Sequence, residues 1–272
     1  MGPVYLTVGD LDRTIDYWTR AIGLDVLERG GDEALLGSGG RLLVAFREVP
    51  GARPAPQSTG LFHVALLVPE RVDLAAWMAH ALRDRVQLAG ASDHFVSEAI
   101  YLRDPDFHGI EIYADRPREV WEGRVERMGT DPLDVDDLLG VLENPATVAW
   151  DALPDGTIVG HTHLQVASIP DTLGFYRDVL EFAEMATLGS QATFLSAGGY
   201  HHHIGGNTWN SLGAAPPPPG SAALERATIV LPDAGERDRL VARVADTGQE
   251  PEERSDGVVV RDPSGNALVL AA

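Results

Sequence analysis

The sequence predicts an α+β fold assembled from four copies of one unit: a strand, a helix, then further strands. Three observations predict it. Val4-Tyr5-Leu6-Thr7-Val8 and the following Asp10 to Trp18 align without a gap on Thr162-His163-Leu164-Gln165-Val166 and the following Ile169 to Tyr176. The segment "GLFHVALLVPE" from Gly60 recurs as "AALERATIVLPD" from Ala222. Both of those later copies end alike, on Asp104-Pro105 through Tyr113 and on Asp262-Pro263 through Leu270. Self-similarity of this period means that each unit is one supersecondary element that needs a neighbour to bury its apolar face.

In the first unit (residues 1–58) the period-two alternation of Val4 to Val8 reads as a strand. Asp10 opens a turn into an amphipathic helix ending on Tyr17-Trp18, and "LLGSGGRLLVAF" from Leu35 places two strands around a Gly pair. The second unit (59–116) sets His63 before the apolar strand Val64 to Val68 and continues into a helix rich in Ala, Leu and Arg. Residues 117–157 form an acidic connector with little strand pattern, predicted as a helical linker. The third unit (158–212) repeats the strand, the helix with Phe175-Tyr176, and a Gly pair in "FLSAGGYHHHIG". "GAAPPPPGS" (Gly213 to Ser221) is an extended spacer, and the fourth unit (221–272) follows it. The expected domains are therefore 1–116 and 158–272, each a pair of units.

Composition narrows the chemistry. The 272 residues carry 41 acidic against 21 basic side chains, a net charge of −20, which repels nucleic-acid backbones and anionic membrane surfaces. All of the basic residues are Arg, so a Lys Schiff base and a Walker-type phosphate loop are excluded. The absence of Cys removes disulfides, thiolate nucleophiles and iron–sulfur clusters, leaving His and carboxylate as the only ligands for a metal. No charged-then-apolar leader and no run of about 20 apolar residues is present, so a cytoplasmic protein is expected.

The histidines are unevenly spread. Five of the nine lie in the third unit. His161 and His163, two apart on a strand, share a face; of His201, His202 and His203, the outer two share one face and His202 takes the other. Glu111 lies between Ile110 and Ile112 on an apolar strand, where an ionised carboxylate needs a cation or donors to offset its burial. The fourth unit carries Arg226 and Val269 at the positions of His63 and Glu111, and the first carries Tyr5 where the third has His163. A requirement of the scaffold would appear in every copy. The polar set belongs to units two and three alone.

On these residues, and on "GASDHFVSEAIYLRDPDFHGIEIYADRP" (Gly90 to Pro117) and "GHTHLQV" with "FLSAGGYHHHIGGNTW" (Gly160 to Trp209), the chain resembles the vicinal-oxygen-chelate superfamily of glyoxalases, bleomycin-resistance proteins and extradiol dioxygenases. The likeness spans nearly the whole chain and is strongest to bacterial two-domain catechol 2,3-dioxygenases. It implies βαβββ modules paired into two half-open barrels. It also implies Fe(II) held by one His from the first strand of each paired module and a Glu from a last strand, matched here to His63, His163 and Glu111. Chain-order pairing would split that set, so module 2 is expected to pair with module 3 and module 1 with module 4.

The same matching implies acid/base chemistry at His202, a hydrogen bond from Tyr101 to the bound substrate, and His94 as a further catalytic candidate in the pocket. His202 as a fourth metal ligand is the alternative, and His201 and His203 are expected to face away from it as structural residues. The implied activity is ring cleavage of catechol or a small substituted catechol with O2 at Fe(II), with Mn(II) as the alternative ion. Two rival readings stand beside it: a glyoxalase-like isomerase or lyase on Ni(II), Zn(II) or Mn(II), and a metal-free antibiotic-binding protein. Exposed strand edges would allow a homodimer.

Overall fold

A computed structural model describes all 272 residues. Module 1 comprises β1 (Val4–Val8), α1 (Leu11–Tyr17) extended by a π-helical turn to Ile22, β2 (Asp25–Gly30), β3 (Glu33–Ser38) and β4 (Arg41–Glu48). Module 2 comprises β5 (Gly60–Leu67), α2 (Arg71–Arg83), β6 (Gly90–Asp93), β7 (Ser97–Arg103) and β8 (Gly109–Asp115). The connector holds two short helices, α3 (Arg118–Trp121) and α4 (Val135–Leu139), around the two-residue strand β9 (Asp131–Pro132). Module 3 comprises β10 (Ile158–Gln165), α5 (Ile169–Leu173) with a π-helical turn to Val179, β11 (Ala183–Leu188), β12 (Ala192–Ser196) and β13 (Ile204–Asn207). Module 4 comprises β14 (Leu224–Val230), α6 (Ala234–Asp246), β15 (Glu252–Arg254), β16 (Gly257–Arg261) and β17 (Ala267–Ala271).

Helix entry is set locally in every module. Asp10, Ser168 and Asp233 each accept the backbone N–H three residues on, and Glu70 with Asp73 forms a reciprocal capping box.

The sheets follow the permuted pairing. One has the order β15-β16-β17-β14-β1-β4-β3-β2, joining module 4 to module 1, and the other β11-β12-β13-β10-β5-β8-β7-β6-β9, joining module 3 to module 2. In each module the first strand pairs in parallel with its own last strand, and first strands of partner modules meet antiparallel at the centre. A single cluster of 44 buried apolar residues runs through both sheets and their helices, which ties the two barrels into one body.

Modules adjacent in the chain are tied differently. The Asp-Pro turn that closes module 2 turns its first Asp inward, where Asp104 accepts the backbone N–H groups of Asp106 and His108 and the indole N–H of Trp18 from module 1. Asp262 does the same in module 4, accepting from Ser264 and Asn266 and from the Tyr176 hydroxyl of module 3. These repeated buried bonds explain why an aromatic side chain with a polar hydrogen, Trp18 or Tyr176, recurs at the helix end.

The connector is less helical than its composition predicts, because Pro and Gly punctuate it. Its β9 instead extends the edge of the module 2–3 sheet by pairing with β6.

Candidate metal centre and its pocket

At the centre of the module 2–3 barrel, β10 and β5 run antiparallel with His163 opposite His63 and His161 opposite Ala65. β8 lies in parallel on the other side of β5, with Glu111 opposite Ala65, and β7 places Tyr101 opposite Glu111. One row across the sheet therefore reads His161, Ala65, Glu111, Tyr101. Residues that are register partners project on the same face, so the small Ala65 leaves the space into which its larger neighbours lean. Glycine does the same work beside the next row. A Cβ on Gly109 would lie 1.9 Å from the Phe62 carbonyl oxygen and 3.1 Å from the His63 Cβ, and one on Gly205 would meet the His163 ring at 2.9 Å.

Three donor atoms converge there. Nε2 of His63 lies 2.9 Å and Nε2 of His161 lies 3.2 Å from Oε2 of Glu111, and the two imidazole nitrogens are 3.3 Å apart. All three side chains are buried. Ligands about 2.1 Å from an ion stand about 3.0 Å apart at right angles and about 3.4 Å apart in a tetrahedron. The observed separations of 2.9 to 3.3 Å span that range, so one ion can reach all three atoms. A divalent cation would satisfy all three atoms together, whereas two imidazoles alone crowd their facing nitrogens.

The expected third ligand, His163, is not in this group, and His161 stands in its place. His163 is nearby, its ring centroid 4.9 Å from that of His63, but its Nε2 accepts the side-chain amide of Asn207 at 3.0 Å. Oδ1 of the same amide accepts the backbone N–H of Trp209, which fixes which end faces His163. The lone pair that would coordinate a metal is thereby engaged.

Burial sets the protonation states. It pushes His161 down to about 4, and it pushes His163 and His202 well below the usual imidazole range, with neighbouring imidazoles adding to the effect for the latter two. Burial acts on Glu111 in the opposite direction, but the charges and hydrogen bonds of His161 and His63 outweigh it and hold the carboxyl well below the usual carboxylate range. An unprotonated imidazole at His161 and a carboxylate at Glu111 are the forms that bind a metal.

The centre opens into a cavity of about 300 Å³ whose lining includes Phe62, Phe194, Trp209, Tyr101, His94 and His202. Such a volume lies at the small end for ligand pockets. Nδ1–H of His94 donates to the Gly129 carbonyl, so its Nε2 accepts the Tyr101 hydroxyl. The connector, through Met128, Gly129 and Thr130, forms part of the wall, which sequence reasoning did not assign to it. His202 lines the cavity with its ring 4.0 Å from that of His161. His201 does not face away from it: the Nδ1 atoms of His201 and His202 are 2.8 Å apart. The segment 201–203 precedes β13 as a bend, so strand alternation does not govern it. His203 is tied to the Ser196 hydroxyl instead.

The module 1–4 barrel fills the equivalent place with protein. Tyr5 stands opposite Arg226 in register, as His163 stands opposite His63, and the Arg226 guanidinium lies 3.5 Å over the Tyr5 ring. Glu225 and Asp256 neutralise it.

Residues 1–112 match the family model of the Glyoxalase/Bleomycin resistance protein/Dioxygenase superfamily. Over 276 aligned residues the chain is 38% identical to a protein of Bacillus subtilis (strain 168) named catechol-2,3-dioxygenase, covering 99% of this chain and 95% of that one. Among solved structures, a Bacillus subtilis protein assigned as a dioxygenase superposes with a TM-score of 0.66 at 16% identity, over 100% of this chain and 84% of that one. Glyoxalase I from Zea mays superposes with a TM-score of 0.62 at 15% identity, over 99% and 91%. At those identities the two structures speak to the fold.

Proposed function

We propose, from the premise that this chain belongs to the Glyoxalase/Bleomycin resistance protein/Dioxygenase superfamily, that it is an extradiol dioxygenase opening the ring of catechol or a small substituted catechol with O2. In this reading His63, His161 and Glu111 hold a single Fe(II). The observation that carries it is the convergent set of two imidazole nitrogens and one carboxylate oxygen, 2.9 to 3.3 Å apart, at the floor of a small apolar cavity. The relative named catechol-2,3-dioxygenase, 38% identical along the chain, supports the substrate class.

Fe(II) held by these three residues would supply a centre able to bind a diol and dioxygen and pass charge between them. The protein's own groups divide the remaining work. Phe62, Phe194 and Trp209 form an apolar slot that seats one aromatic ring and excludes water. Tyr101, held by His94, accepts a diol O–H on its phenolic oxygen from the Glu111 side. His202, neutral and free of any protein partner at Nε2, accepts a diol proton there and later returns it. A four-ligand isomerase site would need another donor, but His163 is bonded to Asn207, and His202, its ring 4.0 Å from that of His161, does not join the three converging donor atoms.

Anaerobic loading with Fe(II), then catechol and air, tests the reading. A yellow ring-opened semialdehyde is expected with Fe(II) and none with Zn(II), which has no redox chemistry. Consumption of a thiol-adduct substrate without oxygen uptake would overturn it.

A further inference from the structure

The reaction proposed above leaves one buried polar chain unused, the one behind His202. Asp115 ends β8, the strand that carries Glu111. Its Oδ1 accepts Nε2–H of His201 at 2.9 Å and the Tyr200 hydroxyl at 3.2 Å, and the Tyr200 oxygen accepts the Tyr113 hydroxyl at 2.9 Å. His201 is fully buried, and its other nitrogen, Nδ1, meets Nδ1 of His202 at 2.8 Å.

A neutral imidazole that donates through Nε2 has only a lone pair at Nδ1. With His201 carrying a single proton, placed on Nε2 by the hydrogen bond to Asp115, the proton in the 2.8 Å contact sits on His202. That leaves the Nε2 of His202 unprotonated, and it has no hydrogen-bond partner in the protein while its ring lines the cavity. We propose that Asp115, acting through His201, is a positioning residue that fixes the tautomer of His202, with the proton on Nδ1 and the Nε2 lone pair presented to the bound substrate. Asp115 keeps a quarter of its side chain exposed, so its negative charge stays near water. The use of that lone pair rests on the dioxygenase reading; the tautomer does not.

The test uses the full-length protein labelled with 15N-histidine and loaded with diamagnetic Zn(II), with His202→Gln assigning the resonance. Long-range 1H–15N correlation is expected to show His202 as the Nδ1–H form. Asp115→Ala is expected to give a mixture of forms, and Asp115→Asn, whose carbonyl oxygen still accepts from His201, to keep the single form. In the Fe(II)-loaded enzyme, Asp115→Ala should lower kcat about tenfold at unchanged KM and metal content, with Asp115→Asn recovering most of it. An Nε2–H His202 in the unsubstituted protein, or an unchanged His202 in Asp115→Ala, overturns the proposal. Absence of ring cleavage in every loaded form would instead overturn the dioxygenase reading, and the tautomer measurement would stand apart from it.

Discussion

The side-chain amide of Asn207 donates to Nε2 of His163 across 3.0 Å, and the hydrogen bond from Trp209 N–H to the amide oxygen prevents that amide from turning over. A side chain 4.9 Å ring-to-ring from His63 is thereby kept out of the proposed ligand set, while His161, one strand pleat away, enters it. His161→Ala is expected to abolish retention of Fe(II) after desalting. His163→Ala is expected to keep equimolar iron and to lose at most about tenfold in affinity, since it removes a neighbour and not a ligand. Metal analysis of the two variants decides between them, and iron lost only in His163→Ala would reverse the assignment.

How much of this centre was legible depended on which copies were compared. His63 and Glu111 stood out because an acid and an imidazole on apolar strands need a partner, and Arg226 and Val269 in the fourth unit showed that the scaffold does not require them. The pairing of modules followed from the need to bring ligands to one barrel, and the sheet orders show that pairing. The choice between His161 and His163 was not legible from the first and third units, which align Tyr5 with His163. Alignment of the second unit on the third places "HVALLV" over "HTHLQV", with His63 over His161 and the helix caps Glu70 and Ser168 in step. That signal was present. The engagement of His163 by Asn207 and the joining of His201 to Asp115 were not, because both depend on residues brought together from different strands and a bend.

His202→Ala tests the division between holding metal and moving protons. The ring packs on His161, yet its Nε2 is absent from the converging donor set. Iron content is expected to stay equimolar and kcat to fall by about 10²- to 10⁴-fold, the usual contribution of a positioned acid/base. Loss of iron along with turnover would make His202 a ligand.

Arg226→Met probes the barrel that holds no such site. Arg226 spans Tyr5, Glu225 and Asp256 with its side chain 13% exposed, so the substitution removes the cation over the Tyr5 ring and leaves Glu225 to Arg47 and Asp256 to Arg254. Stability should fall by about 1 kcal/mol, read as a lower urea midpoint. Iron content and kcat should not change, because His63, His161 and Glu111 belong to the other sheet. A large loss of iron at unchanged stability would contradict the separation of the two barrels.

Acid should destabilise the metal-free protein before its carboxylates titrate. His161 is held neutral by burial and protonates only near about 4, whereas in the unfolded chain it protonates near the ordinary imidazole value of about 6.5. Between those values the unfolded chain binds the additional proton, so stability falls as the pH falls through that window and is fully present above it. For His161 alone the loss amounts to about 3 kcal/mol at the acid end. His163 and His202, also held well below the imidazole range by burial, add to it in the same direction. Protonation of surface carboxylates relieves the repulsion of a chain with net charge −20 and acts the other way, but it sets in mainly below about pH 5. Thermal unfolding of the metal-free protein should therefore show Tm decreasing from pH 7 to pH 5.5. His161→Gln, which removes one of the titrating rings, should show a shallower decrease. A Tm that stays level or rises over that interval in the unsubstituted protein would mean that these imidazoles are already charged at neutral pH, and the donor set described for the metal would no longer hold.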